Sequence, residues 1–440
     1  MPQTNWKEIR NAFSPFDSIP PGKLDKWFVT RPDSRVEFLA RQLSLEELPA
    51  RRILVGQPAS GKSSELTKLA SELKRRYDAM VVRFDLSDNL DVERANPVEV
   101  IFLMGTAIFK VAMAEMPVDL RPDKSLLEKL KKGLETVVHT EKENKQFTID
   151  LEKILSGLIV FGGYALAGPP GGAATLAASP FIEKLNPFRF ASGTSVELVR
   201  QLKVEPKIEE LLGSLNAIID DVHSKTGRRL ILLVDGLDKL RDTDVISLNF
   251  LEKKFLNGPK CNVVYTGPLD LYYSTKFGGV RSLFEMVPFT HVKLYDPVAQ
   301  NTSTQGYDFM RDVARRRMIS LNLTPDDVIK SDALDLLIQG SGGVMRDFIR
   351  LVKAAALYAD ISNKNQIEVP EATDALNELR RQLKAQLTPE FDTVLEQVKI
   401  SRKRIDGEQC DLLLRNDIVL SYFNKDVWFD KHAALTDQPW

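Results

Sequence analysis

The sequence predicts an α/β fold, a parallel sheet with helices on both faces, followed by an all-α segment and a small winged-helix module. Three observations carry that expectation. Short apolar runs alternate with long helical patterns through the first 295 residues, as strands buried on both faces between crossover helices do. After Asp296 the apolar spacing is helical only, and the last stretch closes on two short helices and two alternating runs joined at Asn424-Lys425-Asp426. The expected organisation is a lead-in segment over 1–50, a core over 51–295 carrying an insertion at about 147–195, a helical lid over 296–387 and a winged helix over 388–440.

Taken in order, Trp27–Leu43 reads as an extended segment that meets Pro32 at a helix start and continues at helical spacing. Strands are expected at Ile53–Val55, Met80–Leu86, Leu230–Val234, Asn262–Thr266 and Val292–Leu294. Two amphipathic helices, near Val98–Met116 and Ser125–Lys145, fill part of the long gap between the second and third strands. Ile154–Ile182 then runs through Gly, Ala and Pro without a charged residue. Its apolar part before Pro169 is about 15 residues, short of the roughly 20 that span a bilayer, and Pro169-Pro170-Gly171-Gly172 breaks any longer helix. A membrane span is therefore disfavoured, leaving an insertion loop, free or covered by a partner, a buried hairpin or a membrane-contacting element. Lid helices are expected near Thr304–Met318, Ala333–Gln339, Met345–Asp360 and Glu371–Leu387, with the terminal pair near Glu390–Arg402 and Glu408–Arg415.

Composition narrows the classes. The chain has 440 residues, 43% apolar, with a formal charge of -1, so it is no polyanion binder as a whole. Cys261 and Cys410 are far apart and the four histidines are scattered, which speaks against a disulfide framework and a zinc site and for a reducing cytoplasm. The N-terminus lacks the apolar stretch of a signal peptide.

The strongest chemical signal is Gly56-Gln57-Pro58-Ala59-Ser60-Gly61-Lys62-Ser63, set between the apolar run ending at Val55 and the helical pattern Glu65–Leu73. A strand, a glycine-rich turn and a helix start aim backbone N–H groups and a positive dipole end at phosphate. Gly56, Ser60, Gly61, Lys62, Ser63 and Ser64 are the expected contacts to a nucleoside triphosphate, with Lys62 as point charge and Ser63 as a magnesium-ligating hydroxyl. Leu230–Asp235 is an apolar strand ending in a carboxylate, which makes Asp235 the expected second ligand of Mg2+.

With Phe28-Val29-Thr30-Arg31-Pro32-Asp33 ahead of the loop, Val234-Asp235-Gly236-Leu237-Asp238 after it, Thr266 closing the next strand and Gly342-Gly343-Val344-Met345-Arg346 opening a later helix, the order of motifs resembles that of AAA+ and STAND-type P-loop NTPases. The architecture is similar to that of replication-initiator ATPases, and the wording around Lys62 and Arg346 resembles bacterial ATPases of conflict and anti-phage operons. The resemblance implies an ATP- and magnesium-dependent ATPase that assembles as a homo-oligomer and controls a separate effector protein. It implies Thr266 as a sensor near the γ-phosphate, Arg346 as a lid arginine and Arg281 as an arginine offered to a neighbouring subunit, with Arg315–Arg317 as substitutes.

One departure bears on rate. AAA+ enzymes commonly carry Glu directly after the magnesium Asp, and here that position is Gly236. Asp238 is the nearest acid able to orient water, and its shorter side chain at a later position implies slow hydrolysis, suited to a switch. DNA is a possible but disfavoured partner, since residues 386–440 hold seven Lys and Arg against ten Asp and Glu. A basic face would have to come from Arg402–Arg404. The alternative functions are a DNA-binding initiator or loader and a membrane-acting effector working through the insertion.

Overall fold

The computed structural model describes residues 4–436, apart from 16–18, 20, 90–94, 96, 140–150, 152–154, 157, 159, 161–204, 252–254, 298–299 and 424–425. The apolar insertion therefore lies almost entirely outside the described residues, as does Trp440. The chain divides into two compact units, one of residues 36–55 and 66–288, the other of residues 1–35, 56–65 and 289–440. Its first helix, α1 (Trp6–Ala12), belongs to the latter.

The unit of residues 36–55 and 66–288 is built on five parallel strands, β1 (Arg51–Val55), β2 (Met80–Asp85), β3 (Leu230–Asp235), β4 (Asn262–Gly267) and β5 (Glu285–Pro288), in the order β2-β3-β4-β1-β5. Successive side chains face opposite sides of a sheet. Leu54, Val81, Ile231, Leu233 and Val264 accordingly meet α2 (Val36–Leu45) and the body of α3 (Lys62–Tyr77) on one face. Ile53, Val55, Val82, Phe84, Leu232, Val234 and Tyr265 pack on the other, against α4 (Pro97–Glu115), α5 (Lys124–His139), α6 (Glu205–Thr226) and α7 (Thr243–Phe250). With both faces covered, the α/β parallel fold holds.

Two elements differ from the sequence expectation. The fifth strand is Glu285–Pro288, not Val292–Leu294. Val292 and Leu294 are buried and apolar, which imitates a strand, but the Val292 N–H donates to Gly343 O and His291 N–H to Ser421 O, outside the sheet. The true strand is short, part exposed and ends in Pro288, as an edge strand tolerates. In place of an amphipathic helix, α4 is apolar nearly all round and is buried under α5 and α6, so although its length and composition would cross a membrane it serves as a core helix.

The second unit is mainly helical, with α8 (Thr304–Ile319), α9 (Ser331–Ser341), α10 (Met345–Ile361), α11 (Val369–Lys384), α12 (Pro389–Ser401) and α13 (Glu408–Arg415). A two-residue ribbon, β6 (Tyr295–Asp296) with β7 (Asn301–Thr302), precedes α8, and the hairpin β8 (Val419–Phe423) and β9 (Val427–Lys431) follows α13. Local chemistry sets the boundaries. Gly342, at φ +59, ends α9, while Pro370 and the reciprocal Glu368–Glu371 capping box start α11. The lead-in segment is tied to the helices by Trp6 Nε1 donating to Lys364 O at 3.0 Å and Trp27 Nε1 donating to Ser320 Oγ at 2.8 Å.

Candidate nucleotide-binding site

The phosphate-binding loop leaves β1 at Val55 and enters α3 at Lys62. Its shape needs glycine twice. A Cβ on Gly56 would lie 2.1 Å from Phe289 O, and Gly61 has φ +101. Ala59 also holds a left-handed φ of +60, an unusual conformation for a residue with a Cβ and one that the surrounding bonds must sustain.

Lys62 is buried, and its ammonium closes back on the loop, donating to Gly56 O at 3.0 Å, Gln57 O at 2.6 Å and Ser60 Oγ at 3.3 Å. Ser60 Oγ donates to Gln57 O at 2.8 Å. Ser63 and Ser64 follow, half-buried, in the first turn of the helix. The cradle thus carries a fixed positive charge inside a ring of backbone at a helix N-terminus, the arrangement that takes a phosphate.

Two residues to which the sequence reading gave no role hold this loop. Arg31 is buried, donates from Nη1 to Ser60 O at 2.8 Å and from Nη2 to Thr290 O at 2.9 Å, and pairs with Asp33 at 3.0 Å. Its guanidinium stacks on Phe289 at 4.3 Å. Gln57 is wholly buried and bonded into the C-terminal hairpin. Arg31 lies within Phe28–Asp33, and a polar residue between Gly56 and Pro58 is the only sequence signal for Gln57.

In the sheet unit, Asp235, Gly236, Asp238 and Thr266 come together at the ends of β3 and β4. The Gly236 N–H donates to Asp235 Oδ1 at 3.0 Å and to Thr266 Oγ1 at 2.8 Å, and Thr266 Oγ1 donates to Asp238 Oδ1 at 3.2 Å. The expected sensor is therefore bonded directly to the expected water-orienting acid. Gly236 has φ +101, a backbone conformation that strains any residue with a Cβ, and a Cβ there would also meet Asp85 Oδ1 at 2.7 Å, so an acid immediately after Asp235 is disfavoured. Asp85, opposite Asp235 in register, accepts from Ser87 N–H at 2.8 Å and lies 3.6 Å from Lys239.

Arg83, a charge inside an apolar strand, lies with Nη2 3.4 Å from Asp235 Oδ2, both side chains almost fully buried. Burial lowers the pKa of Arg83, and Asp235 and Asp85 oppose that shift. Asp235 is an oxygen donor whose negative charge is already balanced in the fold. Among the described residues no group of three or more His, Cys, Asp or Glu could hold a metal. Magnesium bound through a nucleotide needs no such cage, because it takes one or two protein oxygens and completes its shell with phosphate and water. A hydroxyl at Ser63 and a carboxylate at Asp235 fit that donor chemistry.

The arginines are placed differently. Arg346 is half-buried in the first turn of α10, next to Asp347. Arg281 is exposed, donates to Tyr272 O at 3.2 Å and lies over the Tyr272 ring at 5.1 Å. The substitutes are committed elsewhere. Arg315 pairs with Asp312 at 3.0 Å, Arg316 donates to Phe28 O, and Arg317 is buried over Trp27 at 4.6 Å, where burial lowers its pKa to about 10. In the basic run of the hairpin module, Arg402 is also spent internally on Asp430 and Arg404 on Asp411, while Lys403 is exposed.

No family model matches the chain, and no curated protein matches it. Solved structures resemble it in fold at low identity. The ORC1 protein of Aeropyrum pernix in complex with DNA is 13% identical with a TM-score of 0.44, over 97% of this chain and 94% of that one. The ORC2 protein of Aeropyrum pernix, in ADPNP–ADP complexes, is 12% identical with a TM-score of 0.42, over 97% and 94%. Cdc6p from Pyrobaculum aerophilum is 14% identical with a TM-score of 0.40, over 96% and 93%. None of these three is described as a conflict-system ATPase.

Proposed function

We propose that this protein is a magnesium-dependent ATPase of the AAA+ kind, working as a slow nucleotide switch. The observation that carries the reading is the buried Lys62 ammonium, ringed by Gly56 O, Gln57 O and Ser60 Oγ at the start of α3. A lysine held so at a helix N-terminus has the right chemistry for a phosphate chain. Ser63 and Asp235 would hold Mg2+, which supplies charge neutralisation between phosphate oxygens. Asp238, oriented by Thr266, would position water, and its indirect placement supports slow turnover. Arg346 would answer the γ-phosphate, and Arg281, exposed, would serve a neighbouring copy in a homo-oligomer.

The output of the switch is engagement of a macromolecule by the helix–hairpin module of residues 388–440, read as a winged helix. Its internal ion pairs at Arg402 and Arg404 favour a protein over duplex DNA. Calorimetry with ATP, ADP and GTP in magnesium tests the binding step, with uptake of ATP expected and no uptake of any nucleotide sufficient to reject it. Light scattering with and without ATP tests assembly, an unchanged mass counting against it. A mobility shift on duplex DNA at low salt decides the output, since salt-sensitive binding would move the reading to a DNA-engaging initiator.

A further inference from the structure

The amide of Gln57 uses both ends on one partner segment. Nε2 donates to Leu414 O at 2.8 Å and Val419 O at 2.7 Å, while Oε1 accepts from Ser421 N–H at 2.7 Å and Ser421 Oγ at 2.8 Å. These groups belong to the end of α13 and the first strand of the hairpin. The same hairpin donates Tyr422 Oη to Gly342 O at 2.6 Å, at the turn that opens the helix of Arg346. Ala59, at the tip of the loop, packs against the cluster of Val344, Leu420, Tyr422 and Trp428. A phosphate-binding loop works through its backbone N–H groups and needs no buried amide at its second position, so four satisfied bonds there indicate a second task.

The main-chain carbonyl of the same residue carries the other half. Gln57 O accepts from Lys62 Nζ at 2.6 Å and from Ser60 Oγ at 2.8 Å. An ammonium has three donors, and here the loop offers three acceptors to it, so an arriving phosphate must displace at least one. The side chain of Gln57 fixes, from the hairpin, the carbonyl that competes with phosphate for Lys62.

We propose that Gln57 is a positioning residue that couples the C-terminal hairpin to nucleotide affinity, the seated hairpin holding the loop in a form that resists phosphate and a bound triphosphate loosening the hairpin. The proposal rests on the nucleotide-binding reading above and adds the element that governs it. Because such coupling is reciprocal, releasing the hairpin tightens nucleotide binding by the factor by which nucleotide loosens the hairpin.

The test combines titration of the full-length protein with a fluorescent ATP analogue and hydrogen exchange across residues 417–423. In the wild type, the analogue accelerates exchange of the Ser421 amide by about five-fold or more, and Gln57→Ala binds the analogue tighter by about the same factor with exchange no longer responsive to it. Ser421→Ala, which keeps the backbone donor and loses the hydroxyl, shifts affinity in the same direction by about two-fold, and it carries the test alone should Gln57→Ala not fold. In steady-state hydrolysis the change falls on KM with kcat kept. Folded variants that bind at wild-type or weaker affinity, or a Ser421 amide indifferent to nucleotide in the wild type, overturn the coupling while leaving nucleotide binding intact. A wild-type protein that takes up no nucleotide overturns both.

Discussion

The phosphate-binding loop and the carboxylate end of the sheet are held in opposite ways. Around the loop, the restraining bonds come from far along the chain: Arg31 reaches Ser60 O across 29 residues and Thr290 O across 259, and Ser421 reaches Gln57 across 364. At the sheet end, Asp235, Thr266 and Asp85 are positioned by the parallel register of β2, β3 and β4, and Gly236, Asp238 and Ser87 follow within a few residues. The first arrangement responds to whatever moves the distant segments. The second is as rigid as the sheet that carries it. A switch is expected to place its adjustable contacts at the nucleotide loop and its fixed ones at the carboxylates.

The largest effect expected from that contrast is at Asp235. Asp235→Ala removes the carboxylate 3.4 Å from the buried Arg83 guanidinium, and breaking such a pair costs about 3–5 kcal/mol. Urea unfolding should register the loss, against a change of roughly 0.5 kcal/mol or less for Arg315→Ala, whose partner Asp312 is exposed. A small cost at Asp235 would mean that the carboxylate end is no more rigid than the loop. Next comes Lys62→Ala, which should weaken ATP binding by about 100-fold, the equivalent of roughly 2.7 kcal/mol for lost charge-assisted bonds. Calorimetry on the folded variant checks it, and wild-type affinity would remove the loop from the site.

How much of this was legible in the sequence follows the same division. Strands β1 to β4 and the glycine-rich loop follow from periodicity and short spacing, which are local properties, whereas Thr266 and Asp238 are singled out only by the family resemblance. Val292–Leu294 misled because burial of alternate residues does not say which backbone they bond to. The long apolar helix α4 misled because its neighbours α5 and α6 cover the face that solvent would otherwise have kept polar. Gln57 and Arg31 could not be assigned roles, since their partners are set only by the tertiary fold. Arg83 could have been, because a charge inside Met80–Leu86 requires a buried counter-charge.

Acid should separate the two regions further. Burial lowers the pKa of His291, with Arg31 and Lys62 adding to that, against an opposing contact from Asp417 at 3.5 Å. A histidine depressed in the folded state leaves stability whole above its ordinary value near 6.5, and that stability falls as pH drops below it, because only the unfolded chain then takes the proton. Asp347 extends the loss to lower pH: burial raises its pKa, but His432, 3.3 Å away, and the charges of Arg350 and Arg346 hold it below the ordinary 3.8. Hydrogen exchange between pH 7.5 and 5 should therefore loosen the amides near Thr290 and Ser421 before those of β3 and β4. In His291→Gln the fall in melting temperature over that range should shrink by about 2 °C or more. Equal loosening of both regions would erase the distinction.

The smallest structural effect belongs to Arg281. Its side chain is exposed and bound only to Tyr272 O and the Tyr272 ring, so Arg281→Ala should change stability by roughly 0.5 kcal/mol or less. If it serves a neighbouring copy, the loss appears instead in activity, and only where copies meet. Hydrolysis per subunit should rise with protein concentration in the wild type and stay flat in the variant, with ATP affinity of the dilute protein equal in both. A variant that keeps the concentration dependence would confine the site to one chain, and the contrast between an adjustable loop and a fixed carboxylate end would then have to account for regulation without a partner arginine.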